Sequence, residues 1–223
     1  MTCHRAGFAG YFVYGQELAN RKITKIKLFF AGDYMSFEQC QRVTSLMADF
    51  EKPWFFAGGW AIDIFIGEET REHEDIEIAV FRKDQLRLKN YLKGWEFKKV
   101  IKGGFHSWDQ EFLDLPIHEI HAANPVNGEK IEILLNETDE GEWKFRRDLR
   151  ISYPHNSISG VSKKGIPYLN PDIVLLYKAK NTREKDHLDF HAVKEYLDDE
   201  KKTRLRNALE THEPDHEWLQ FLL

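Results

Sequence analysis

The sequence predicts an α+β fold: a mixed β-sheet carrying helices, followed by a small, mainly helical C-terminal subdomain. Three observations carry this. Short apolar segments of strand type alternate with amphipathic helical stretches after Met35. Gly and Asn-Gly punctuation separates them. From Pro171 onward the apolar spacing becomes helical throughout. A chain of 223 residues, 42% hydrophobic and 13% aromatic, can bury the core such a fold requires as one domain with a helical extension.

Taken in order, residues 1–34 mix Gly, aromatic and basic residues with no sustained period, and read as an N-terminal extension outside the core. Met35 reads as a candidate translation start, because Ala31-Gly32-Asp33 can be encoded by GCAGGAGAT, which contains a purine-rich ribosome-binding sequence one codon upstream of it; a genuine N-terminal arm is the other reading. A first domain then spans 35–150 and a second 151–223. Ser36 with Gln39 reads as a capping box for a helix whose apolar face carries Phe37, Val43, Leu46, Met47 and Phe50. Trp54 to Ala57 is a short strand of core residues, Gly58-Gly59 a turn, and Ile62, Phe65 and Ile66 a brief helix closed by Gly67. Ile76 to Phe81 is a strand, Lys83 to Lys93 a helix ended by Gly94, and Glu96 to Ile101 another strand. Ile117 to Ala122 and Lys130 to Leu135 form a hairpin around Asn127-Gly128. Pro171 fits the first turn of a helix running through Lys180, and helices follow over Glu184 to Leu197 and Lys202 to Glu210.

Composition weighs against several function classes. The net charge of -5 argues against a surface that coats nucleic acid and is compatible with a cationic small-molecule partner. Cys3 and Cys40 lack metal-ligand spacing and read as free thiols of a reducing compartment. Neither a membrane span nor a signal peptide is visible, so the expected location is the cytoplasm.

The chemistry concentrates in GGWAIDIFIGEETREHEDIEIAV, residues 58–80. Period two puts Asp75 and Glu77 on one strand face while Ile76, Ile78 and Val80 take the other. Two carboxylates side by side repel one another unless a cation sits between them, and hard oxygen ligands suit Mg²⁺ or Mn²⁺. Glu132, alternating with Ile131 and Ile133 in KIEILLNE, can approach from a neighbouring strand. Three such acids suffice for a two-metal phosphoryl-transfer centre, with ions about 3.5–4 Å apart. Gly58 and Gly59 let backbone N–H groups approach phosphates.

This stretch resembles the core signature of the nucleotidyltransferase superfamily, in which Gly-Gly precedes an acid, an apolar residue and a second acid on a strand. The setting of Trp60, Asp63, Thr70-Arg71 and His73 is most similar to the aminoglycoside 2''-nucleotidyltransferases and the related lincosamide nucleotidyltransferases. The resemblance runs on through IEILLNE, KFRRD, GIPYLNPDIVLLYKAK and REKDHLDF. It implies the polymerase-beta-like fold and Mg²⁺-dependent transfer of a nucleoside monophosphate, AMP from ATP foremost, to a hydroxyl of an antibiotic-like small molecule. By motif, Gly58 and Gly59 would contact the triphosphate, Asp75 and Glu77 would bind metal, and Glu132 would complete the metal site or act as general base. The sequence departs from the relatives at Glu77 and Glu132, where they usually carry aspartates; each adds a methylene that could shift a metal and slow turnover. A toxin-type enzyme acting on tRNA and a non-catalytic nucleotide-binding module are the alternatives.

Further candidates carry two readings each. Arg71 would steer phosphates, or pair with acids such as Glu69 and Glu72. His73 would contact phosphate, or hold its own turn. Lys178 is the phosphate candidate the family implies, and Asp186 and Asp189, three apart on one helix face, would position it or solvate the helix. His118 and His121 miss the spacing of a zinc-protease motif and point to opposite faces of a strand. His187 and His191 share a helix face without a further soft ligand. KFRRDLR, residues 144–150, reads as a solvated strand face from which Arg146 or Arg147 could reach a cleft. For a polycationic acceptor, Asp198, Asp199, Glu200, Glu210, Glu213, Asp215 and Glu217 are candidates for an acidic lobe.

Overall fold

A computed structural model describes residues 37–222. The expectations for residues 1–34, the start at Met35 and the Ser36 cap lie outside the described residues. The residues from Gln39 onward form one compact unit, which carries the fold.

Helix α1 (Glu38–Leu46) buries Cys40 and Val43 on its apolar stripe. Strand β1 (Trp54–Phe56) leads into α2 (Gly58–Ile66). Helix α2 is apolar enough to bury residues 59–64, Asp63 among them. It stops at Gly67, whose φ of 96° is the left-handed cap that glycine adopts without a Cβ penalty. The two glycines thus open the helix rather than forming a turn ahead of it. Strand β2 (Glu77–Phe81) follows, one residue shorter than the sequence suggested. A 3₁₀ turn at Arg82–Asp84 delays α3 to Gln85–Tyr91. Strand β3 (Glu96–Ile101) has the expected bounds, and β4 (Gly104–Ser107) turns back on it. The hairpin is β5 (Glu119–Ala123) with β6 (Lys130–Asp139).

Four short strands complete the sheet: β7 (Glu142–Lys144), β8 (Ser152–Pro154), β9 (Ser159–Val161) and β10 (Pro167–Leu169). Its order is β4-β3-β5-β6-β2-β1-β10-β9, with β7 joining β6 and β8. The pairs β2–β6 and β1–β10 are parallel. Because β9 and β10 extend the sheet, the helical part begins at Pro171 rather than at 151. It comprises α4 (Pro171–Lys178), α5 (Glu184–Val193) and α6 (Asp199–His212). Residues 145–150 are not a solvated strand face: β7 ends at Lys144, Phe145 is buried, and Arg146 and Arg147 are half-buried in the turns that follow.

One core joins sheet and helices, with Ala61, Ile62, Phe81, Trp143, Phe145, Leu175 and Phe190 in a single apolar cluster. Trp218 stacks on Phe190 with ring centroids 4.5 Å apart and planes 3° from parallel. Each fully buried side chain of this size contributes about 1.5–3 kcal/mol. The helices are therefore fixed firmly against β1, β2 and α2, where the acids lie. No helix among the described residues is long and apolar enough to cross a membrane.

Candidate active site

The parallel register of β2 and β6 makes Glu77 and Glu132 direct partners, with Ile78 opposite Ile133. Neighbouring strands lie about 4.8 Å apart, and partners in register point to the same face. The isoleucines enter the core and the two glutamates therefore share the open face. Asp75, in the bend two residues before Glu77, lines the same cleft. The cleft has a volume of about 640 Å³ and is bordered by Gly58, Gly59, Arg71, His73 and Lys178 as well.

Burial dominates the electrostatics of the two glutamates. Burial pushes the Glu77 carboxyl above its ordinary value; Lys178, Lys185 and Arg183 pull it down, and Asp75 raises it further. Burial likewise pushes Glu132 up to about 7; His121 offsets part of this, and Glu77 and Asp75 add to it. Two neighbouring carboxyls, Glu77 and Glu132, that resist ionisation are a site in want of positive charge, and a divalent cation reverses that balance. The all-oxygen set of Asp75, Glu77 and Glu132 suits Mg²⁺ or Mn²⁺.

Gly58 and Gly59 make room for side chains around these acids. Gly58 sits at φ +56°, and a Cβ there would fall 1.4 Å from Glu77 Oε2. A Cβ at Gly59 would fall 2.2 Å from Arg71 Nη2 and 2.5 Å from His73 Cε1. The first turn of α2, which these glycines begin, has no side-chain cap.

His73 is held from two sides. Its Nε2 lies 2.6 Å from Asp63 Oδ2, and its ring packs on Trp60 with centroids 4.3 Å apart. Thr70 Oγ1 donates to the other Asp63 oxygen at 2.5 Å. Asp63, wholly buried, thus fixes the connection between α2 and β2. It is an organising residue, an acid inside an apolar helix that the sequence marked through the family resemblance without giving it this role.

Arg71 reaches across to α5. Its Nε and Nη2 donate to the two carboxylate oxygens of Asp189 at 2.7 and 3.0 Å, and Nη1 donates to the backbone carbonyl of Glu72. Lys178 Nζ lies 2.9 Å from Asp189 and 2.8 Å from Asp186, which also accepts from Arg183 Nε at 2.9 Å. Burial alone would raise both aspartates, but hydrogen bonds from Arg71 to Asp189 and from Arg183 and Lys178 to Asp186 outweigh it and hold both below the usual carboxylate range. Lys178, Asp186 and Asp189 thus form one network with Arg71.

Two residues on β5, Glu119 and His121, stand at the site in a place the sequence reading did not give them. His121 is the direct cross-strand partner of Glu132. Its Nδ1 lies 3.6 Å from Glu132 Oε1 and its Nε2 2.8 Å from Glu119 Oε1. Ligand atoms of Glu119, His121 and Glu132 lie within 4.8 Å of one another. His118 does not join them: its Nδ1 is 2.8 Å from the backbone carbonyl of Pro116. At the far side Arg146 and Arg147 line the cleft beside Tyr177, with Arg147 donating to the Tyr177 carbonyl at 2.6 Å. His187 is structural, accepting from Trp218 Nε1 at 3.1 Å. The C-terminal acids form no lobe of this site, since none of them lines the cleft among the described residues. Asp198 instead caps α6, and Glu210 pairs with Arg206.

Comparison with known proteins bears on the family and the fold. The family model for aminoglycoside-2''-adenylyltransferase matches residues 39–193. No curated protein sequence matches the chain. The fold is similar to the solution structure of the antibiotic-resistance factor ANT(2'')-Ia, with TM-score 0.54, 18% identity and coverage of 79% of this chain and 94% of that one. It is similar to the crystal structure of ANT(2'')-Ia in complex with adenylyl-2''-tobramycin, with TM-score 0.53, 14% identity and coverage of 78% and 98%. The lincomycin-bound lincosamide antibiotic adenylyltransferase LnuA aligns with TM-score 0.50, 19% identity and coverage of 72% and 98%.

Proposed function

Since the chain belongs to the aminoglycoside-2''-adenylyltransferase family and is a nucleotidyltransferase, we propose that it transfers AMP from ATP to a hydroxyl of an aminoglycoside or lincosamide antibiotic, with Mg²⁺ or Mn²⁺. The observation that carries the reading is the register of β2 against β6, by which Glu77 and Glu132 face one cleft together with Asp75.

Asp75, Glu77 and Glu132 would hold the metal. When bound, it neutralises charge developing on the phosphates. Around it, the residues divide the work. The uncapped first turn of α2 offers backbone N–H groups to the triphosphate, helped by the dipole of the helix. Arg71 and Lys178, held in place by Asp189 and Asp186, supply positive charge at the same end. His73 lines the wall between them and Gly59. The acceptor oxygen attacks the α-phosphorus and forms the new P–O bond as the bond to pyrophosphate breaks. Glu132 would complete the metal site or take the hydroxyl proton as general base.

The test is pyrophosphate release with Mg²⁺ and each ribonucleoside triphosphate, offered tobramycin, lincomycin or bulk tRNA. Release that requires ATP and one antibiotic is expected. Asp75→Asn keeps the shape and loses the anionic ligand, so turnover should fall on the order of 100- to 1,000-fold while the thermal melt stays put. Unchanged turnover in that variant would move the metal site elsewhere, and release with tRNA alone would replace the antibiotic acceptor.

A further inference from the structure

Glu77 pairs with Glu132 across β2 and β6, and Glu132 pairs with His121 across β6 and β5, so an imidazole extends the carboxylate row by one strand. No step of the proposed reaction uses it. The ring stands between two carboxylates, and its two contacts differ. Nε2 lies 2.8 Å from Glu119 Oε1, an ordinary hydrogen-bond length, whereas Nδ1 lies 3.6 Å from Glu132 Oε1, too far for a good one. The shorter contact is the one that holds a ring N–H. Nδ1 then turns its lone pair towards Glu132, and two electron-pair donors face each other across a gap.

That gap has the dimensions of a metal site. Zinc bonds to imidazole nitrogen and carboxylate oxygen of about 2.0–2.2 Å, set at a tetrahedral angle, separate the two ligand atoms by roughly 3.4 Å. Ligand atoms of Glu119, His121 and Glu132 all lie within 4.8 Å of one another. A carboxylate on the far nitrogen of the ring, as Glu119 is, fixes the tautomer and orientation of a ligating histidine. An imidazole also changes which ion is preferred, because carboxylates alone suit Mg²⁺ and a nitrogen donor suits Zn²⁺.

The site is open to a cation. All three side chains are partly exposed, and His121 and Glu132 line a groove of about 400 Å³ over β3, β5 and β6. In that groove Glu74, Asp75, Glu96 and Glu132 outnumber Lys98 and Lys130, a balance that concentrates cations. Lys98, the other cross-strand partner of His121, is exposed, so its ammonium group can turn away into solvent. The edge of the Phe105 ring packs on His121, with centroids 4.7 Å apart, and supports the imidazole from the outer side.

We propose that His121 Nδ1 and Glu132 bind Zn²⁺, with Glu119 holding the ring and water completing the shell, and that zinc there inhibits the enzyme by taking Glu132 from Asp75 and Glu77. The zinc site stands on the geometry of β5 and β6; its inhibitory effect rests on the nucleotidyltransferase reading of the main cleft.

The experiment has two arms. In the first, wild type, His121→Ala and Glu119→Gln are titrated calorimetrically with ZnCl₂, and wild-type crystals soaked in ZnCl₂ are measured at the zinc edge. An anomalous peak about 2.0–2.2 Å from His121 Nδ1 and a Glu132 oxygen is expected. His121→Ala should lose one zinc-binding event, and Glu119→Gln should bind that zinc at least about tenfold more weakly. A peak only elsewhere, no peak, or three identical titrations overturns the site. In the second arm, pyrophosphate release is followed against added Zn²⁺ at fixed Mg²⁺, each protein being compared with its own zinc-free rate. The zinc concentration for half-inhibition should be at least about tenfold higher in His121→Ala than in wild type. Equal zinc sensitivity overturns the inhibitory role. Wild type that releases no pyrophosphate under any condition strikes the nucleotidyltransferase reading instead, and the first arm still decides the zinc site.

Discussion

Asp189 shows how much of this site depends on single residues that never meet substrate. It accepts two hydrogen bonds from Arg71 and an ion pair from Lys178, and is 1% exposed. Removing one partner from a buried ion pair costs about 3–5 kcal/mol because the remaining charges stay desolvated. Asp189→Asn should therefore lower stability by about that amount in urea melts at pH 7. The sign with pH follows from the depressed values of Asp186 and Asp189. Their contribution is fully present above the unfolded carboxylate value of about 3.9 and is lost as pH falls through their lower folded values. Wild type should destabilise steeply below about pH 4, and Asp189→Asn less steeply. A wild-type stability flat from pH 7 to 3 would contradict the network. Asp75, Glu77 and Glu132 were legible in the sequence because each alternates with isoleucine. The Arg71–Asp189 pair was not, because its partners are 118 residues apart and no local pattern joins them.

At the scale of elements, α2 and β2 are coupled through a glycine. Gly58 combines φ +56° with a Cβ position that Glu77 Oε2 already fills, whereas Gly67 at φ +96° has nothing within 4 Å of that position. Left-handed strain costs roughly 1–2 kcal/mol and overpacking adds roughly 1–3. Gly58→Ala should thus lower stability by roughly 2–5 kcal/mol and Gly67→Ala by only roughly 1–2, as thermal melts can check. Equal losses would mean that Glu77 moves aside freely. Periodicity identified β2, β3 and the hairpin, since apolar alternation there spans several residues. It missed β8, β9 and β10, which are three residues each and too short for a period. The hairpin was foreseen but its register was not. A two-residue turn at Asn127-Gly128 would pair His121 with Leu134, whereas the longer loop over 124–129 pairs it with Glu132. That shift brings His121 to the carboxylates.

Across the whole molecule, the net charge of -5 conceals a division that composition cannot express. Cationic side chains from the β1–β2 connection and from the ends of α4 and α5 gather in the main cleft, while acids outnumber bases in the groove on the other side of Glu132. The acidic C-terminal residues that composition singled out lie apart from both. Charge counts by segment cannot follow a fold that brings residue 71 to residue 189.

The central claim is that Asp75, Glu77 and Glu132 jointly hold a divalent cation at the start of α2. A crystal soaked with Mn²⁺ and a non-hydrolysable ATP analogue tests it directly. The account predicts an anomalous peak with all three carboxylates at coordination distances of about 2.0–2.3 Å and the triphosphate against Gly58 and Gly59. A peak on Glu119 and His121 without Asp75 and Glu77, or triphosphate away from α2, would contradict it.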